Sequence, residues 1–216
     1  MASTSIESFY SEDIDFTTDL PQKQKQVLKA CLELFAAKGF EATTTADIAD
    51  KAGVSQGTVY KRFKTKEQLL QAVVHPLFSK TIPRAAQEFA DDISRFEYSS
   101  LADFLKPTLK NRLKFATENK QILKILFMQA VNDPQLLAEL VAPVKDVLTT
   151  TIPKVIDNLK QQHLLVDWET GRILEYVLSI GAGFGAQMIL FDRQFDIDQV
   201  LDQAVEFLVK GLSPEK

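Results

Sequence analysis

From Pro21 to the carboxy end, apolar residues recur three and four positions apart almost without interruption, and no stretch alternates apolar with polar residues long enough to make a strand. A chain with only this periodicity folds as packed helices, so the expected class is all-α. Helix-starting and helix-ending residues then divide it. Pro21 opens a first helix with the apolar face Val27, Cys31, Leu34 and Phe35, and Gly39 closes it. Thr44 and Asp47 have capping-pair spacing for a second helix that stops at Gly53. Ser55 caps a third, from Gln56 to Phe63, and Thr65 with Gln68 caps a fourth, which Pro76 kinks or breaks. Further helical segments are expected over 84–95, 101–117, 120–131, 134–162, 169–191 and 197–211.

Composition assigns these helices to parts. Residues 1–20 hold Glu7, Glu12, Asp13, Asp15 and Asp19 with no basic residue, and read as a flexible acidic tail with at most a turn of helix at Phe9-Tyr10. Residues 21–75 form short compact helices, and residues 76–216 a larger, more apolar bundle. The chain's net charge of −4 argues against indiscriminate nucleic-acid binding, yet residues 22–75 carry nine Lys or Arg against five Asp or Glu, a local +4. The tail contributes −5 and residues 76–216 contribute −3.

Several function classes are excluded. The single Cys31 makes no internal disulfide and reads as a core filler. His75 and His163 read as ordinary helix-end residues, and no CxxC spacing suggests zinc, so no metal is expected. No acid, base or nucleophile cluster supports catalysis, so the expectation is a non-enzyme without catalytic residues. Gly181-x-Gly183-x-x-Ala186 imitates a dinucleotide fingerprint, but it lies inside a helical run, and no cofactor is expected. The amino end lacks the pattern of a signal peptide. The apolar run from Tyr176 to Phe191 is shorter than a membrane span and lies between Glu175 and Asp192. The expected setting is cytoplasmic, with no membrane partner.

Ala52-Gly53-Val54-Ser55 joins the second and third helices through a turn where glycine supplies positive φ. That is a helix-turn-helix, spanning about residues 44–63, whose second helix enters the major groove of double-stranded DNA. In that helix Gln56, Gly57, Thr58, Lys61 and Arg62 are polar or small, while Val59 and Phe63 anchor the opposite side. Gln reads adenine bidentately, Thr meets a thymine methyl or a phosphate, and Gly57 permits close backbone approach. Tyr60, Lys61 and Arg62 reach flanking phosphates. The helix starts at Thr44-Thr45 and Thr65-Lys66 offer amides to further phosphate oxygens.

The run TTADIADKAGVSQGTVYKRFKTKEQLL, preceded by VLKACLELFAAKGFEAT, resembles the helix-turn-helix of the tetracycline-repressor (TetR) family of bacterial transcriptional regulators. The resemblance covers about a quarter of the chain. Lys61-Arg62 departs from the His-containing pair frequent before the conserved Phe, so base preference does not carry over. The resemblance implies that Thr44 and Thr45 contact the DNA backbone and that Tyr60 and Lys66 clamp phosphates. It leaves Gln56, Gly57, Thr58 and Lys61 for base edges, with Ser55 among the DNA-facing residues. Ile48, Ala49, Val54, Val59 and Phe63 become scaffold.

The 169–191 helix has hardly any polar face, so one flank is expected to meet a second subunit. Gly181 and Gly185 permit close approach, and the last helix offers Ile197, Leu201, Ala204 and Leu208. The resemblance implies a four-helix homodimer interface at these two helices. It also implies an apolar effector cavity in the middle helices, for which Arg112, Phe115, Phe127 and Tyr176 are candidates. A small-molecule effector there would tilt the fourth helix, with Pro76 as the bend, and release a repressor from its operator. The alternative is the same architecture answering to a protein partner or to no effector.

Overall fold

In the computed structural model, residues 5–17, 20–131 and 133–214 are described, and every regular element among them is helical. The helices are α1 (Ile6–Thr17), α2 (Gln22–Lys38), α3 (Thr45–Ala52), α4 (Gln56–Arg62), α5 (Lys66–Pro76), α6 (Ile82–Ser94) and α7 (Leu101–Glu118). They continue as α8 (Lys120–Val131), α9 (Pro134–Asp146), α10 (Ile152–Gln161), α11 (Thr170–Phe191) and α12 (Ile197–Leu212). Two compact units result. One takes the described residues through Ala85 together with Asn119–Ala142, and the other takes Ala86–Glu118 and Pro143 onward.

The first unit differs from the expected 21–75 domain at both ends. Residues 6–17 of the expected flexible tail form a helix; Asp19, with residues 1–4 and 18, lies outside the described residues. Ile6, Phe9, Tyr10 and Ile14 recur at helical spacing and are 0–3% exposed, so α1 buries a full apolar stripe. α1 packs on α2, on α5 and on the turn that follows α5. Three of its acids have partners: Asp15 pairs with Lys29 at 2.6 Å, Glu12 with Arg84 at 2.7 Å, and Asp13 Oδ2 accepts from the Thr81 hydroxyl at 2.8 Å. α8 packs on α2 through buried Ile122, Leu126 and Ala130, and Asn119 Oδ1 accepts from the Ile6 amide at 2.8 Å.

Pro76 sits in helical conformation (φ −62, ψ −32) and does not end the helix. The chain runs on through a π-turn, Leu77–Thr81, into α6. A second π-turn, Val147–Thr151, joins α9 to α10 inside the expected 134–162 segment. Each precedes an Ile-Pro pair, Ile82-Pro83 and Ile152-Pro153, and in each the Ile amide donates five residues back, to Leu77 and Val147. Proline has no N–H, and its ring presses on the carbonyl four residues earlier. Widening that turn by one residue makes room while keeping the backbone hydrogen-bonded. Ser79 Oγ donates to the His75 carbonyl at 2.9 Å, and Thr150 Oγ1 to that of Asp146 at 2.8 Å.

The second unit packs α7 against α11 and α12, and the second π-turn against α10. Ile93, Leu105, Leu159 and Leu201 are wholly buried at its centre. Leu201 and Leu208, expected at a subunit interface, are 0% and 2% exposed and belong to this core. The reason is amphipathicity: an isolated apolar stripe on a helix is buried first within its own unit, and sequence alone does not say which neighbour takes it.

Candidate functional site

The turn between α3 and α4 is built from local signals. Thr44 caps α3 in extended conformation; its hydroxyl accepts from the Asp47 amide at 3.1 Å, while Asp47 Oδ2 accepts from the Thr44 amide at 2.8 Å. Lys38 Nζ donates to the same carboxylate oxygen at 2.7 Å. That ammonium first, and the Thr44 hydroxyl and amide next, hold the Asp47 carboxyl far below its ordinary range. Gly53 closes α3 in the left-handed region (φ 64, ψ 35), as the turn requires. Ser55 caps α4 by accepting from the Thr58 amide at 3.2 Å. Ile48, Ala49, Val59 and Phe63 are buried as scaffold, with Val54 half-buried.

Opposite this scaffold, Gln56, Gly57, Lys61 and Arg62 lie exposed on α4. Gln56, Lys61 and Arg62 have no hydrogen bond or ion pair to other described residues, so their donors are open to a ligand. Tyr60 is exposed with its hydroxyl 2.7 Å from Thr45 Oγ1, which joins the start of α3 to α4 as one polar edge. Two expected contact residues are engaged within the chain. Thr58 Oγ1 lies 3.0 Å from Ser55 Oγ, and Lys66 Nζ donates to the Glu41 carbonyl at 3.1 Å while lying 4.2 Å from the Phe40 ring centroid. Lys66 keeps further N–H donors beyond that bond.

Cys31 is wholly buried, and burial pushes its thiol up to about 12, in keeping with a packing role. Among the described residues no group of three His, Cys, Asp or Glu side chains could hold a metal ion.

The second unit holds a partly open cavity of about 330 Å³. α7 lines it with Phe104, Leu105, Thr108, Leu109 and Arg112; the second π-turn adds Val147 and Leu148; α11 adds Val177, Leu178, Gly181, Ala182 and Gly185. Arg112 is the only charged lining residue, and Thr108 the only hydroxyl. Of the four expected lining residues, Arg112 alone takes that position. Phe115 lies against Arg112 with its ring centroid 5.0 Å from the guanidinium, but does not border the space. Phe127 is exposed on α8 in the first unit, and Tyr176 is half exposed beside Trp168, ring centroids 6.2 Å apart. Counting aromatic residues along the middle helices says nothing about which face of each helix turns inward. Gly181 and Gly185, expected between subunits, border the cavity, and a Cβ on Gly181 would meet Leu109 at 3.5 Å.

α11 is 22 residues long, longer than the apolar run suggested, and by length and composition it could cross a membrane. Only Ile173 and Met188 are buried along it. Leu178, Ala182 and Gly183 are exposed, as are Phe207 on α12 and Phe191 at the end of α11, these last two 69% and 75% exposed. Ile197 and Ala204 are half-buried.

Residues 27–73 match the family described as bacterial regulatory proteins, tetR family. An uncharacterised helix-turn-helix-type transcriptional regulator of Bacillus subtilis, YvkB, is 26% identical over 197 residues, covering 88% of this chain and 97% of its own. Among solved structures, a TetR/AcrR-family transcriptional regulator from Thermobifida fusca superposes with a TM-score of 0.59 at 21% identity, covering 88% of this chain and 98% of its own. FadR from Bacillus subtilis, in complex with stearoyl-CoA, superposes with a TM-score of 0.58 at 18% identity, covering 87% of this chain and 98% of its own. At these identities the solved structures speak for the fold.

Proposed function

Since the chain belongs to the TetR family of bacterial transcriptional regulators, we propose that it is a cytoplasmic homodimeric repressor released from its operator by a small apolar or amphipathic effector. The carrying observation is the pairing, in one chain, of a capped helix-turn-helix with free Gln56, Lys61 and Arg62 and a largely apolar cavity. Gln56, Gly57 and Lys61 are assigned to base edges. Thr44, Thr45, Tyr60, Arg62 and Lys66 are assigned to phosphates, and Ser55 and Thr58 hold the start of the reading helix.

The proposed dimer surface is the uncovered side of α11 and α12, including Gly183 and Phe207. A helix as apolar as α11 with so little of it buried favours a second copy as its cover. Two-fold symmetry would then present two reading helices to successive half-sites. The open cavity favours an effector over control by a protein partner alone.

The test is binding of the purified protein to DNA flanking its own gene, titrated with salt and then with lipophilic compounds. Saturable binding at one palindromic site, weakened by a compound that fills the cavity, is the expected result. Absence of any sequence preference, or indifference of DNA affinity to every cavity ligand, would overturn the repressor reading.

A further inference from the structure

Two polar groups sit where a purely apolar cavity has no use for them. Thr108 is 7% exposed and borders the cavity, and its hydroxyl oxygen, shielded in this rotamer, has no hydrogen-bond partner among the described residues; a rotation about χ1 turns it to the space. A buried hydroxyl left unpartnered is costly, and native structures seldom keep one without a bound group to meet it. Arg112 lies one helical turn further along the same face of α7. Its guanidinium stacks 3.8 Å from the Phe89 ring centroid and donates to Asn111 Oδ1, from Nε at 3.0 Å and from Nη2. No carboxylate among the described residues ion-pairs with it, and Asp92, whose charge bears on it, lies against Arg95 at 3.7 Å. Burial pulls this guanidinium down to about 10, which still leaves it a cation at neutral pH. A mostly buried cation with spare N–H donors therefore borders a space walled, Thr108 apart, by aliphatic residues, Phe and Gly.

We infer that the cavity binds a single-chain aliphatic carboxylate, its head group held by Arg112 and Thr108 and its chain lying along Leu105, Leu109 and Val177. A carboxylate has both the charge that Arg112 lacks nearby and the lone pairs that accept the Thr108 hydroxyl and a guanidinium edge together. The cavity lies at the small end of the range for ligand sites, which suits one alkyl chain. This assignment rests on the effector reading above and names the class of effector.

The experiment is calorimetric titration of the full-length protein, without DNA, with decanoate, dodecanoate and tetradecanoate, beside the methyl ester, the alcohol and the coenzyme A thioester of the best chain. Wild-type protein is expected to bind the carboxylate at least about tenfold tighter than the ester or alcohol, the scale of a hydrogen bond to a charged group. Arg112→Met is expected to erase that difference while leaving ester affinity within about threefold. Thr108→Val, close in shape, is expected to weaken the carboxylate about three- to tenfold. Arg112→Met removes a buried cation but leaves buried Asn111 Oδ1 without its donor, so its fold is checked by thermal unfolding, and Thr108→Val gives an independent reading in any event. Equal binding of carboxylate and ester, thioester binding without carboxylate binding, or an unchanged carboxylate affinity in both variants would each overturn the assignment. Release of operator DNA is measured separately. Carboxylate binding without DNA release would overturn the repressor reading and leave this site standing.

Discussion

Ile14→Ala separates a packed first helix from a solvated tail. Ile14 is 0% exposed, at the end of the stripe it shares with Ile6, Phe9 and Tyr10. Truncating a fully buried Ile to Ala costs about 2–5 kcal/mol, part lost transfer energy and part the space left behind. The same change in a solvated arm stays within about 0.5 kcal/mol. The ion pairs of Asp15 with Lys29 and Glu12 with Arg84 are largely exposed and contribute about 1 kcal/mol or less each, so apolar burial dominates. The assay must look at the right unit. Trp168 is the only Trp and belongs to the second unit, so its fluorescence would pass over the effect. Native-state hydrogen exchange of the α2 amides of Leu28, Cys31 and Leu32 reports it directly, and their opening free energy is expected to fall by about 2–5 kcal/mol. Amides of α7 and α12 serve as the internal control. Unchanged protection in α2, within about 0.5 kcal/mol, would refute the packing of α1.

The other predictions concern single groups. Tyr10 is wholly buried with an unpartnered hydroxyl, so Tyr10→Phe should be neutral or stabilise the protein by about 1–3 kcal/mol in denaturant unfolding; a clear loss would mean the hydroxyl has a partner. The Cys31 thiol, raised from near 9 to about 12, keeps its proton in the folded chain where the unfolded chain loses it. Its contribution is complete below pH 9 and should fall by about 1.4 kcal/mol per pH unit from there towards 12, a slope that Cys31→Ala should flatten. Lys66→Ala should weaken all DNA alike and lower the salt slope by about one, whereas Gln56→Ala should change sequence preference. If Lys66→Ala altered thermal stability and left the salt slope untouched, its bond to the Glu41 carbonyl would be its whole role. Phe207→Glu should shift the protein from dimer to monomer in sedimentation, and an unchanged dimer would move the interface elsewhere.

What could be read from the sequence follows from how far apart the interacting groups lie. Thr44 with Asp47, Gly53, Ser55 and Thr65 act within three or four residues, and each cap stands where its spacing put it. α1 escaped because its charge masked its periodicity: Ile6, Phe9, Tyr10 and Ile14 are spaced as in any amphipathic helix, and five acids around them suggested solvent. The cavity wall was legible only at Arg112, because the inward faces of α7 and α11 are chosen by neighbours remote in sequence. The same distance hid the fate of Leu201 and Leu208, whose stripe suits a core as well as an interface. Pro83 and Pro153 were visible, but a proline after Ile does not say whether the helix will stop or widen.

The second π-turn also sets an angle. In a regular helix, residues five apart point about 140° away from each other, so Val147 and Ile152 could not share a wall. The widened turn lets both border the cavity, with Ile156 one turn beyond. Pro153 keeps the extra residue from being absorbed into an ordinary turn, so the phase of α10 is locked against slipping. Chain length over Val147–Thr151 therefore acts as a dial for azimuth more than for reach. Deleting one residue would draw α10 back by only about 1.5 Å and swing its inward side chains by about 100°, so a change that is minor in length would turn polar Asp157 and Lys160 toward a wall now made by Ile152 and Ile156.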